Sequence, residues 1–167
     1  KVKDKITRVQ VAEDVNNRYY SYQNANTAQM QGLEWEGRWQ AMTGMSLSVA
    51  GTHYFKRYEE VAGQRSDIRN VPDNVVRASA DIVHGDWSGR FGVRYVGHWK
   101  DNDWNGNSTN IITYAPFAVA DLSVRYRIDK SQSLTANIEN LGDRFYAEKG
   151  GYPLPGRNFK LAYRYQF

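Results

Sequence analysis

Apolar and polar side chains alternate at every second position along most of this 167-residue chain, in runs about a dozen residues apart. A period of two is the repeat of a β-strand, whose successive side chains point to opposite faces. Met45, Leu47, Val49, Gly51, His53 and Phe55 share one face, against Ser46, Ser48, Ala50, Thr52 and Tyr54. Phe91, Val93, Tyr95, Gly97 and Trp99 repeat the arrangement against Arg90, Gly92, Arg94, Val96 and His98. Leu33, Trp35, Gly37 and Trp39 oppose Glu34, Glu36 and Arg38, and Val76, Ala78, Ala80 and Ile82 oppose Arg77, Ser79 and Asp81. Towards the end, Ala118, Ala120, Leu122, Val124, Tyr126 and Ile128 face away from Asp121, Ser123, Arg125 and Arg127. Leu134, Ala136 and Ile138 oppose Thr135, Asn137 and Glu139, while Phe159, Leu161, Tyr163, Tyr165 and Phe167 oppose Lys160, Arg164 and Gln166. Helical stripes are absent, so the expected class is all-β.

The connections alternate in length. Residues 41–44, 84–88 and 129–132 are short turns, whereas 13–19, 56–73, 100–115 and 142–156 are long. Transmembrane β-barrels have this asymmetry, with short turns on one side of the membrane and long loops on the other. With a first partial strand near Ile6 to Val11, the expectation is about eight strands, each able to cross a bilayer over roughly 9 to 11 tilted residues. An Arg or Lys on the lipid side at mid-bilayer costs about 2 to 4 kcal/mol, and the apolar faces named above contain no Asp, Glu, Lys or Arg. A soluble β-sandwich or lipocalin-like barrel would show the same alternation. The aromatic residues favour the membrane: Trp35, Trp39, Tyr126, Tyr163, Tyr165 and Phe167 gather near the short turns, and Phe55, Tyr58, Trp99, Tyr114 and Phe117 near the long loops.

Composition removes other classes. With no Cys there is no disulfide framework, thiolate metal cage or thiol nucleophile. A net charge of +4 and 14% aromatic residues argue against disorder. The longest nearly apolar stretch, residues 115–120, is interrupted by Pro116 and falls far short of the roughly 20 residues of a membrane-spanning helix. The amino end, Lys1-Val2-Lys3-Asp4-Lys5, shows neither an initiator Met nor a signal core, so a processed chain or a piece of a longer one is expected. Lys and Arg are spread by period two and over loops, which is no nucleic-acid stripe.

Two passages carry a family resemblance. Tyr22-Gln23-Asn24, Ala28 and Gly32-Leu33-Glu34 form the first. The second runs from Asn137-Ile138-Glu139-Asn140-Leu141-Gly142-Asp143-Arg144-Phe145-Tyr146 through Gly151-Tyr152-Pro153-Leu154-Pro155-Gly156-Arg157 to the tail Tyr163-Arg164-Tyr165-Gln166-Phe167. Together they resemble TonB-dependent outer-membrane receptors of the siderophore, heme or cobalamin type. Gly142 departs from the family pattern, which usually has Phe there. The resemblance implies a plugged barrel of about 22 strands in the bacterial outer membrane, of which residues 1–167 would be the C-terminal part. It also implies a plug, a TonB box, coupling to the TonB-ExbB-ExbD complex through the plug, and contact with lipopolysaccharide. The tail Tyr163, Tyr165 and Phe167 is similar to the signal read by the barrel-assembly machinery. The alternative is a complete eight-stranded barrel acting as an adhesin, stability protein or enzyme. Pairing of the first strand with residues 159–167 would identify that small barrel. Inward Glu34, Glu36, Arg38, Arg77, Asp81, Arg90, Arg94, Asp121, Arg125, Glu139, Lys160 and Arg164 sit at less cost in a wide, wet lumen than in a narrow one.

No catalytic constellation emerges. Glu34 and Glu36 share a face with Arg38, which offers them a salt bridge on a lumen wall. His53, His84 and His98 lack metal-ligand spacing. Gly85-Asp86-Trp87-Ser88-Gly89 misses the hydrolase elbow by one position and lies in a turn between strands. Asp101, Asp103 and Asn105 open a calcium-loop pattern closed by Gly106, but Ile112 stands where the bidentate Glu belongs. This excludes an EF-hand and leaves a looser calcium site or an ordinary hairpin tip. Loop residues Arg57, Tyr58, Arg65, Arg69, Trp104 and Lys149 are the candidate ligand contacts, since cations and rings suit an anionic iron chelate or a heme. Solvated loops facing lipopolysaccharide phosphates are the plainer role. The expectation is uptake of a ferric siderophore or a similar chelate or cofactor, with no covalent cofactor and no enzyme activity.

Overall fold

The computed structural model describes residues 2–13, 18–61, 63–104, 106 and 110–167. Its first strands are β1 (Val2–Glu13), β2 (Arg18–Met42), β3 (Met45–Val61), β4 (Gln64–Asp67), β5 (Asn74–His84) and β6 (Trp87–Val96). Then follow β7 (Trp99–Asn102), β8 (Ile111–Tyr114), β9 (Phe117–Arg127), β10 (Gln132–Glu139), β11 (Ala147–Lys149), β12 (Tyr152–Pro153) and β13 (Asn158–Tyr165). Among the described residues there is no helix. Eight strands form one antiparallel meander, β1-β2-β3-β5-β6-β9-β10-β13. The hairpins β7-β8 and β11-β12 stand apart from it, and β4 folds back along the outer end of β3.

The register turns the sequence alternation into continuous rows. Trp39, Leu47, Ala80, Phe91, Leu122, Ile138 and Phe159 lie side by side across seven strands. One pair of residues nearer the short turns, Met45, Ile82, Gly89, Val124, Ala136 and Leu161 form a second row. Gly51 leaves room on this face for the Trp35 indole, with which a Cβ would collide. Phe159 is 71% exposed and Leu161 72%, and no second sheet covers the rows among the described residues. That excludes a sandwich. Apolar area this continuous would associate in water, whereas hydrocarbon requires it.

The opposite face carries the charges. Arg90 grips both oxygens of Asp81 at 2.6 and 3.1 Å, and Lys160 reaches Glu139 at 2.5 Å. The expected bridge from Arg38 to Glu34 or Glu36 does not form among the described residues: the three stand opposite Ser48, Thr52 and Ala50. On a strand, same-face neighbours two apart are separated by a full pleat repeat, so side chains need a cross-strand partner to meet.

Four expectations need correction. The first strand begins at Val2 rather than Ile6 and pairs through to Glu13 opposite Arg18, so both ends of the expected 13–19 loop are ladder; residues 14–17 lie outside the described residues. Half of the 56–73 loop is strand as well, because β3 continues to Val61 and β4 returns along it. Trp99, Tyr114 and Phe117 do not belong to an outer girdle: they pack with Val96, Val119 and Tyr146 in a cluster where Trp99 is 3% and Phe117 5% exposed. The alternation breaks at Gly97 and His98, between β6 and β7, where the Asp73 carboxylate fills the place of a Gly97 side chain. Finally, β1 and β13 are edges with no ladder between them among the described residues, so the sheet is open and the small closed barrel is excluded.

The last long connection is tied by two segments of the second passage that carried the resemblance. Asn140, with φ of 52° and 3% exposure, donates from Nδ2 to the carbonyls of Arg144 at 2.8 Å and Pro155 at 3.2 Å. Its Oδ1 accepts from the Arg144 amide at 2.9 Å, and its own amide donates to Asp121 Oδ1 at 2.9 Å. Asp143 Oδ1 accepts from the Arg157 amide at 2.8 Å. The Asn-Leu-x-Asp and Pro-x-Pro-Gly-Arg segments are therefore two halves of one clasp.

Candidate functional site

The long connections after β3, β6 and β10 leave the sheet at the same end and are cross-linked there. Arg69 Nη1 donates to Asn102 Oδ1 at 2.7 Å, and the Asn70 amide donates to the Lys100 carbonyl at 2.9 Å. Lys100 Nζ meets Asp67 Oδ2 at 2.7 Å. These contacts join the first loop to the second. Gly150 is buried against Trp104 and Tyr114, so that a Cβ would strike both, which joins the third loop to the second. Arg94 on β6 pairs with Glu148 and lies 5.7 Å over the Phe117 ring. Beneath, Trp99 stacks on Tyr114 at 5.2 Å and Tyr146 leans on Phe117 at 4.8 Å. Three loops thus form one platform on an aromatic base.

The platform engages most of the candidate ligand contacts. Arg57 donates through Nη1 to the Val71 carbonyl. Tyr58 donates to Gln29 Oε1 at 2.6 Å, and Arg65 lies 4.8 Å over its ring while meeting Glu60 at 3.3 Å. Arg69 holds Asn102, as above. Trp104 remains about half exposed, and Lys149 sits 5.2 Å over the exposed Tyr152 ring. The structure does not bring the six together on one surface: Arg57 and Arg69 tie loops, while Trp104 and Lys149 flank Gly150 and Gly151. Asn102, Gly150, Glu148 and Tyr152 were missed by sequence reasoning, since loop segments show no periodicity to mark them.

Asp101 of the calcium pattern is 2% exposed and accepts the Trp104 indole N–H at 2.8 Å. Asp103 accepts the Gly106 amide through its carbonyl at 3.3 Å, and Asn105 lies outside the described residues. Among the described residues no cluster of three His, Asp or Glu could hold a metal ion. The segment is arranged as a hydrogen-bonded turn. At the tail, Tyr165 and Phe167 meet edge to face at 5.0 Å, and Tyr163 donates to Gln132 Oε1 at 2.6 Å.

An open sheet with a greasy outside, a charged inside and loops gathered at one end is a segment of a large barrel wall. Residues 1–141 match the family model described as TonB dependent receptor-like, beta-barrel. The chain belongs to that family. The vitamin B12 transporter BtuB of Vibrio cholerae serotype O1 is 39% identical over 82 residues, covering 49% of this chain and 13% of the transporter. A mutant of the ferric enterobactin receptor of Pseudomonas aeruginosa superposes with a TM-score of 0.75 at 23% identity, covering 99% of this chain and 27% of that one. Copper transporter OprC gives a TM-score of 0.77 at 20% identity with the same coverages. The chain therefore spans about an eighth of its curated relatives and a quarter of the solved receptors. As a TonB-dependent receptor barrel it lies in the outer membrane, with its long loops on the extracellular side and its short turns on the periplasmic side.

Proposed function

We propose that residues 1–167 form the C-terminal wall and three extracellular loops of a receptor that takes up a large metal chelate. The remaining strands and the plug belong to the rest of the receptor, the plug being moved by the TonB-ExbB-ExbD complex. Tyr163, Tyr165 and Phe167 serve as the signal to the barrel-assembly machinery. The activity is transport.

The observation that carries the ligand assignment is the engagement of the loop cations. Arg57, Arg65, Arg69, Lys100 and Arg94 all face partners within the protein, so a strongly anionic ligand has to compete with those contacts. Trp104, Lys149 and Tyr152 present rings and one cation that lacks a carboxylate partner among the described residues. A bulky, nearly neutral chelate of the corrinoid type fits this better than a ferric siderophore or heme, and the vitamin B12 transporter relative points the same way.

Equilibrium binding to the intact receptor tests this. Cyanocobalamin is expected to bind at least tenfold more tightly than a ferric catecholate siderophore or heme, and the reverse order would overturn the corrinoid assignment. Trp104→Ala should weaken cyanocobalamin binding by roughly tenfold, from loss of about 1 kcal/mol or more of ring contact.

A further inference from the structure

At the opposite end of the wall, the inner rim carries a basic pocket that the uptake of a ligand from outside does not use. A cavity of about 300 Å³ there is lined by Arg125, Arg127, Lys130 and Arg164 against two carboxylates, Asp86 and Asp129. The register builds it. Arg127 and Arg164 both stand opposite Ser133, and Arg125 stands opposite Ser88 and Thr135, which places two guanidinium groups on β9 and one on β13, on either side of β10.

The carboxylates do not neutralise the cluster. Asp86 is held by Arg127 at 2.8 Å. Asp129 turns into its own loop, where the amides of Ser131 and Gln132 donate to Oδ1 at 2.8 and 2.9 Å and Gln132 Nε2 donates to Oδ2 at 2.5 Å. Chiefly the Ser131 amide holds that carboxyl below its ordinary range. Among the described residues Arg125 has only the Ser133 hydroxyl, at 3.0 Å. Arg164 and Lys130 have no carboxylate partner among the described residues.

We propose that this pocket is a docking seat for an acidic peptide segment of a periplasmic partner, whose carboxylates pair with Arg125, Arg164 and Lys130. The cluster lies on the inner face, while Tyr126 and Tyr163 of the same strands point outward, so lipid headgroups are on the other side of the wall. Guanidinium groups flanking β10 from either side offer planar, paired donors to carboxylates. A cavity of this size admits side chains of a peptide rather than a folded domain.

The test is fluorescence polarisation with a labelled hexaglutamate peptide and the intact receptor in detergent. Binding is expected, weakening as salt rises from 50 to 300 mM because exposed charges are screened, with hexaglutamine failing to bind. Arg125→Gln with Arg164→Gln should lower affinity at least tenfold. Arg125→Lys with Arg164→Lys, which keeps the charges and loses the paired donors, should lower it less than the glutamine pair does, and unheated gel migration reports whether each variant is a folded barrel. No binding by the unmodified receptor, equal binding by the glutamine pair of variants once folded, or equal binding of hexaglutamine would overturn the proposal. So would displacement by inorganic phosphate at equal concentration, which would make the pocket a seat for small anions alone.

Discussion

Leu122→Arg is expected to destabilise the barrel by about 2 to 4 kcal/mol, whereas Ser123→Arg, one residue further along the same strand, should cost less than about 1 kcal/mol. Leu122 sits mid-strand in the outward row between Phe91 and Ile138. A guanidinium there must either stay in hydrocarbon or drag water in. Ser123 stands between Arg90 and Asn137 on the inner face, where a further charge meets water. Urea titrations of the receptor in lipid vesicles, followed by tryptophan fluorescence, measure both. Equal costs would mean that the two faces do not differ in solvent, and the membrane assignment would fail with them.

Asn140→Ala should cost about 3 kcal/mol and loosen the last extracellular loop. Three hydrogen bonds of the side chain disappear, each with a net contribution of about 1 kcal/mol, and the buried Asn140 side chain no longer ties the Arg144 and Pro155 backbone together. Alanine also tolerates the left-handed backbone at φ of 52° less well than asparagine does. Asn140→Gly removes the second problem and not the first, so it should recover only about 1 kcal/mol of the loss. Limited proteolysis of residues 140–157 reads the loosening, and a variant as resistant as the unmodified receptor would show that the clasp is not what holds the loop.

Much of the wall was legible in advance because each strand has hydrocarbon on one side and water on the other. That contrast writes itself into the chain every second residue, and it assigns Leu47, Ala80, Phe91, Leu122 and Phe159 to the outside from the alternation alone. Where the contrast stops, the reading fails. Trp99 follows the same parity as Tyr95, yet the chain bends at Gly97 and the indole turns into the cluster beside Phe117. The loop cations illustrate the same limit. The partners of Arg57, Arg65 and Arg69 within the protein, Val71, Glu60 and Asn102, lie up to 33 residues away in the chain, where no local pattern marks them.

By itself the sequence determined the strands, their inward and outward faces, the side of each turn and the family, since all of these depend on local alternation or on contiguous motifs. Only the tertiary structure decided that the sheet is open at β1 and β13, that three loops are bound into one platform, and that Arg125, Arg127 and Arg164 converge at the periplasmic rim. Those facts arise from register between strands far apart in the chain, and register depends on how whole rows of side chains fit across neighbouring strands, which no single segment records.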